Sequence, residues 1–224
     1  MRRLFGLIRI AAAGVIIAAI VAQLVYSLEV VPDVAHFLVN FFSYFTILSN
    51  ALAAVALLVG AYYCFTVRRD PAWYTVSLAA VVTYMATTGV VYNLLLRSIT
   101  LEQGRTLAWS NEVLHLWAPI YLVVVWILTP GKSPLRWRAL AAIVAFPLVW
   151  VVYTMIRGAL VGWYPYPFLN PGQPGGYGAV FVYVVAIAGF IGLMGCAVVA
   201  LSRTRILDPG RSRSRSRPAA RSRR

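Results

Sequence analysis

The hydroxyls of Ser43, Thr46 and Ser49 and the imidazole of His115 are carried by two apolar segments at comparable depth, and a hydroxyl beside an imidazole is the minimal apparatus for attack on a carbonyl carbon. His115 lies inside the apolar run from about Trp109 to Thr129, and an ionisable group at membrane depth marks a candidate site. Ser43, Thr46 and Asn50 follow the i, i+3, i+7 spacing of one helical face, with Ser49 adjoining it. Asn111 and Glu112 precede His115 by four and three residues, again on a single face. Asn50 or Asn111 can donate to an oxyanion, and Arg157 can hold a substrate carboxylate. Plainer roles stand beside these. Thr46 can bond back to the carbonyl of Phe42, His115 can bond between helices, and the asparagines can serve as packing glue. Arg157 can snorkel outward or pair with Glu112 or Glu102.

Pro119 points to the same place. It lacks the N–H that would return to the carbonyl of His115, so the helix is expected to kink there and free an acceptor beside the imidazole. Metal and haem chemistry find no ligand set: two histidines, His36 and His115, sit in different settings, and Cys64 and Cys196 match no metal or redox spacing. No cofactor and no metal are expected, and the two thiols read as small apolar fillers.

The elements that must position these residues are apolar and long. The chain has 224 residues, 61% of them hydrophobic, and its mean hydropathy is +0.78. The apolar residues fall in six blocks, roughly 4 to 28, 37 to 66, 73 to 97, 109 to 129, 137 to 157 and 177 to 201. Each is long enough to cross a hydrocarbon core of ~30 Å at ~1.5 Å per residue. The expected fold is therefore all-α, a polytopic membrane bundle of six transmembrane helices spanning residues 1–201. The first block outruns the 7 to 15 apolar residues of a signal core and reads as a retained span. No internal repeat of the inverted-transporter kind is evident.

The net charge of +14 resolves along the chain. Residues 203–224 hold nine arginines and one acid, so the excess is mostly tail. Lys and Arg counted by side put both termini in the cytoplasm by the positive-inside rule. Residues 202–224 read as a disordered Arg/Ser-rich cytoplasmic tail, attracted to anionic lipid at ~1 kcal/mol per basic group. No aromatic residue interleaves the arginines, which argues against nucleic acid as the partner.

Intramembrane polar residues gather in the halves facing away from the termini, whereas the inner halves read as Ala, Val, Leu and Ile. Such convergence implies a cavity opening to the exterior side and argues against a through-pore. The stretch 158–176, GALVGWYPYPFLNPGQPGG, interleaves Trp163, Tyr164, Tyr166 and Phe168 with four prolines. It reads either as an interfacial anchor or as a semi-rigid cap over that cavity.

The six spans, FFSYFTILSN in the second, NEVLHLWAP in the fourth and GWYPYPFLNP before the sixth together resemble the bacterial "Pr-six-Pr" membrane proteins, related to the androgen-induced membrane hydrolase family. The resemblance covers residues 4–201 and implies a bacterial plasma membrane protein. Eukaryotic members of the wider family hydrolyse fatty acid esters of hydroxy fatty acids with an intramembrane threonine and histidine, and the match places these at Thr46 and His115. The resemblance thus implies a lipid ester hydrolase acting on a membrane lipid or amphiphilic ester. The alternative is a non-catalytic lipid-binding or assembly membrane protein, in which His115 only bonds between helices.

Overall fold

The computed structural model describes residues 2–99, 105–129 and 132–204, and among these every regular element is helical. The expected tail beyond Thr204 and the acid Glu102 lie outside the described residues. Six helices are long and apolar enough to cross a membrane: Arg2–Leu28, Phe45–Thr66, Ala72–Leu96, Ala108–Leu128, Ala139–Val161 and Gly176–Leu201. The protein is an integral membrane protein of six spans.

The first span is α1 (Arg2–Leu28), which packs along α3 (Phe45–Thr66), the second span, through small residues. Ala13 and Ala19 of α1 and Ala53 of α3 are fully enclosed, so the two backbones approach closely without a bulky seam. The third span, α4 (Ala72–Val91) continued by a π-turn at Tyr92–Leu96, touches α3, α6, α7 and α8 and is the most central element. The fourth span is built from α5 (Ala108–Glu112), a second π-turn (Val113–Trp117) and α6 (Ala118–Leu128). The fifth and sixth are α7 (Ala139–Val161) and α8 (Gly176–Leu201).

The second apolar block is not one helix, as its hydropathy implies. A short helix, α2 (Val34–Phe41), ends in a turn, and α3 begins only at Phe45. The break survives in an apolar setting because other spans cover the backbone groups it releases. The Trp150 indole N–H donates to the Ser43 carbonyl at 3.0 Å, and the Thr46 N–H donates to the Tyr166 hydroxyl at 3.3 Å. Ser43 consequently sits in the turn, not on the helical face of Thr46, Ser49 and Asn50.

Proline is handled in the same way twice. Pro147 inside α7 removes the N–H due to the Ile143 carbonyl, and the Tyr84 hydroxyl of α4 donates to that oxygen at 2.8 Å. Pro119 withdraws the N–H due to His115, and Asn93 Nδ2 donates to the His115 carbonyl at 3.1 Å. The expected disturbance at Pro119 thus takes the form of a π-turn just before it, with the freed carbonyl covered from the third span.

At the end that carries the N-terminus, Arg2 pairs with Asp70 at 2.6 Å, Ser133 Oγ donates to the Asp70 carbonyl, and the Leu135 N–H donates to Ser202 Oγ. This half is less uniformly apolar than the sequence implies. Arg9 is fully enclosed, donating to Thr129 Oγ1 at 2.8 Å and to Cys64 Sγ at 3.5 Å, while its Nε–H has no partner. Gly60 makes room for it, since a Cβ there would fall within 2.5 Å of the Arg9 guanidinium. Among the described residues Arg9 forms no ion pair with a carboxylate, and the acceptors of its hydrogen bonds are neutral groups.

Two predictions follow from this end of the bundle. Thr129→Ala, which removes the oxygen that accepts from Arg9, should lower stability by about 2 kcal/mol, whereas Arg9→Met should be neutral or stabilising; thermal unfolding in detergent measures both. Lys132, the single lysine of the chain, caps α6 by donating to the carbonyls of Trp126 and Ile127, and burial pushes its pKa down from 10.5 to about 8. Between those values the unfolded chain binds a proton that the folded chain has released, so Lys132 makes stability rise with pH from about 8 upward. The thermal midpoint of the protein should climb relative to that of Lys132→Met between roughly pH 7.5 and 9.5, below the range in which tyrosines titrate.

Candidate functional site

Thr46 occupies the second position of α3, where a helix has N–H groups with no partner in its own turns. The break at residues 42–44 is what brings this amino end inside the bundle. Thr46 is buried, and its side chain does not bond back to Phe42. Its Oγ1 lies 3.4 Å from the Tyr166 hydroxyl, which also accepts the Thr46 N–H. Tyr166 arrives from the segment between α7 and α8. Gly162, in the left-handed region at φ 71°, ends α7, and Tyr164 lies over the bare backbone of Gly158. From there Tyr166 packs its ring against Tyr44, Trp150 and Phe168, and Leu169 is buried behind it. The aromatic segment is therefore folded onto the bundle as a cap. Burial pushes the Tyr166 phenol above its ordinary pKa, an effect that its bonds to the Thr46 hydroxyl and to the α3 amides partly offset.

His115 stands in the middle of the π-turn Val113–Trp117. Its Nδ1 is 3.0 Å from the Asn111 carbonyl. A carbonyl only accepts, so Nδ1 carries the proton and the neutral ring presents Nε2 as an acceptor. The imidazole stacks on Tyr92, with ring centroids 3.7 Å apart and planes 24° from parallel. Tyr92 opens the π-turn of the third span, so the two π-turns face each other across the histidine. Gly89 permits this approach, because a Cβ there would come within 2.9 Å of Pro119 Cβ. Arg97 and Glu112 close the rim with an ion pair at 2.5 Å, and Arg97 also donates to Asn93 Oδ1.

Thr46 and His115 line one small pocket, together with Gln23, Tyr92, Asn111 and Tyr166. Its volume of about 20 Å³ is enough for one water. No hydrogen bond joins Thr46 to His115 among the described residues. Thr46, Tyr92, Leu96 and Tyr166 also form a wall of a second cavity of about 120 Å³, which runs between α4, α7 and α8 and is otherwise lined mostly by apolar residues such as Val91, Val151 and Ile187. On its far side His115 borders an apolar groove of about 510 Å³ between the third and fourth spans, lined by Val90, Leu94, Ile120 and Val124. The polar pocket thus lies between two apolar spaces.

The remaining candidates divide. Asn111 belongs to the site: its carbonyl fixes His115, its Nδ2 donates to the Tyr92 hydroxyl at 2.6 Å, and it lines the pocket. Asn50 Nδ2 donates to the carbonyls of Thr46 and Leu114, at 2.9 and 3.1 Å, so its amide N–H groups are committed to tying α3 to the fourth span. It does not line the pocket and has no donor directed at an oxyanion there. Arg157 donates to Asn40 Oδ1 at 2.6 Å and lies over the Trp163 ring; it lines neither the pocket nor the apolar chamber, and its partner is not Glu112, which pairs with Arg97. Ser49 bonds Thr88.

Tyr166 and Gln23 were not separable from their neighbours by sequence. The proline pattern around Tyr166 marks a cap but not which ring enters the site. Gln23 ties α1 to the start of the fourth span, donating to the Arg105 carbonyl and accepting from the Leu107 N–H.

Comparison with family models, with curated proteins and with solved structures gives no match to this chain.

The close approach at Gly89 sets a test of the site's frame. Gly89→Val should force the third and fourth spans apart and lower stability by about 2 kcal/mol, whereas Gly14→Ala, where the added Cβ meets nothing within 4 Å, should not lower the thermal midpoint.

Proposed function

We propose that the protein hydrolyses carboxylic esters of membrane lipids, with Thr46 as nucleophile and His115 as general base. The observation that carries this reading is the position of the polar pocket. Thr46 and His115 are both part of its wall, and an apolar space adjoins it beside each of them. An ester whose carbonyl sits in the pocket has somewhere apolar to place its acyl chain, beyond Thr46, and its alcohol portion, beyond His115. The donor bond from His115 to Asn111 leaves Nε2 ready to accept a proton.

In the proposed reaction the Thr46 oxygen bonds to the carbonyl carbon. Its proton passes to His115 Nε2, directly or across the one water the pocket admits, and the carbonyl π electrons move to oxygen. Collapse of the adduct expels the alcohol, which takes the proton from His115 and leaves an acyl-threonine. Water then attacks that ester, giving its proton to His115, and the acid departs as Thr46 recovers its hydrogen. We place both termini in the cytoplasm of a bacterial plasma membrane, with the pocket towards the exterior, on the strength of the basic residues gathered at the terminal end. The basic tail is proposed to rest on anionic lipid.

A second reading has its own observation. Thr46 bonds Tyr166 and not His115, an arrangement equally suited to a protein that holds a lipid without cleaving it. Labelling with a long-chain fluorophosphonate, combined with turnover of a panel of lipid esters, decides between the two. Thr46→Ala should abolish labelling, and His115→Ala should cut hydrolysis by about a thousandfold or more, both with the fold retained. Labelling or turnover indifferent to both substitutions would remove the Thr46–His115 chemistry, and a parent protein that neither labels nor turns over any ester would leave the lipid-holding role.

A further inference from the structure

We infer that Tyr166 is a catalytic residue of the same reaction, its hydroxyl donating to the oxyanion that forms on the ester carbonyl; the inference rests on the proposed Thr46 chemistry. Of the polar groups the sequence offered for binding charge, Asn50 and Arg157 are engaged elsewhere, and Asn111, which lines the pocket, directs its Nδ2 to the Tyr92 hydroxyl. Tyr166 is the phenol within hydrogen-bonding distance of the nucleophile itself. When Thr46 Oγ1 bonds to the carbonyl carbon, the carbonyl oxygen comes to rest next to Oγ1, which stands 3.4 Å from the Tyr166 oxygen.

The bonding around the phenol favours donation. Its oxygen accepts from the Thr46 N–H, at the amino end of a 22-residue helix whose partial positive charge is directed at it. A hydroxyl that accepts from an amide is polarised and becomes a better donor in turn. In the resting protein the phenol and Thr46 Oγ1 share a 3.4 Å contact in which either oxygen can donate. On attack Oγ1 gives up its proton and bonds to the carbonyl carbon, and the developing oxyanion beside it is the acceptor for the phenol's proton. The phenol keeps its proton throughout, which matches a pKa held high by burial. Tyr166 thereby carries the field of the α3 terminus to an atom that the amides themselves do not reach. Ring packing against Tyr44, Trp150 and Phe168 holds the hydroxyl in place before substrate binds.

Tyr166→Phe removes one oxygen and keeps those ring contacts. It should lower kcat by about a hundredfold or more with little change in KM, since the bond is made only in the transition state. Affinity for a long-chain trifluoromethyl ketone, which becomes an oxyanion on addition of Thr46, should fall in parallel. A kcat within about threefold of the parent, or a rise in KM alone, overturns the inference and reduces Tyr166 to a packing role. Thr46→Ala, assayed beside it, separates the two failures: a dead Thr46→Ala with a fully active Tyr166→Phe sinks only the oxyanion role, whereas an active Thr46→Ala sinks both. Should Tyr166→Phe lose its fold, difluorotyrosine at position 166 replaces it, the more acidic phenol being expected to change kcat by at least about twofold and an unchanged kcat counting against the inference.

Discussion

In hydrocarbon a backbone N–H or C=O with no partner costs several kcal/mol, so every interruption of a helix has to be covered by some other part of the protein. Among the described residues, three interruptions withdraw a backbone partner from a helix: the turn after Phe41, Pro119 and Pro147. Each interruption is answered by a side chain from a different segment. Trp150 and Tyr166 serve the first, Asn93 the second and Tyr84 the third. The partners tie the bundle together at those points. Two of the three, the break that exposes Thr46 and the π-turn that carries His115, bound the same pocket. The site lies where the helices cannot satisfy themselves.

This arrangement also separates charge by depth. At the rim, Arg97 and Glu112 keep 47% and 37% of their side-chain surfaces exposed, so solvent screens the pair and its value for stability is small. Among the described residues no Asp, Glu, Lys or Arg lines the pocket; the polarity comes from amide, imidazole and phenol dipoles whose orientations are set by packing. Fixed dipoles in a poorly solvated space need no reorganisation when charge appears on a reacting atom. At the opposite end, Arg9 shows the costly alternative, a whole charge enclosed among Thr129 and Cys64 with one donor unused.

Hydropathy alone carries the six spans, because the blocks are long and the connections polar, and helix ends fall within a few residues of the block ends for most of them. The i, i+4 relation of Asn111 and His115, and the effect of Pro119 on the same turn, were also legible, being local. The break in the second block was not. Residues 37–66 are continuously apolar, and what stabilises the turn is Trp150 and Tyr166, more than 100 residues downstream. For the same reason helical spacing placed Ser43 beside Thr46, where the structure puts it in the turn. Arg9 counts as a flanking charge by position, yet its burial depends on Gly60 and Thr129 in other spans. Tertiary hydrogen bonds of this range have no periodic signature.

The volumes on either side of the pocket bear on which molecules can use it. A polar space of about 20 Å³ admits one water or the carbonyl group that displaces it, so selectivity on the proposed reading must come from the apolar spaces around it. Burial of each methylene is worth about 0.8 kcal/mol relative to water, but that gain disappears for a substrate already dissolved in the bilayer, where the chain leaves one apolar medium for another. What remains is the fit of the chain in a chamber of about 120 Å³, smaller than the ~150 Å³ cavity that takes up benzene. A long chain exceeds that space and must continue out between α7 and α8 into lipid, where exposed residues such as Leu148 already face. On the proposed reading the enzyme would therefore discriminate weakly on total chain length and strongly on branching near the carbonyl, because only the first few carbons would be enclosed.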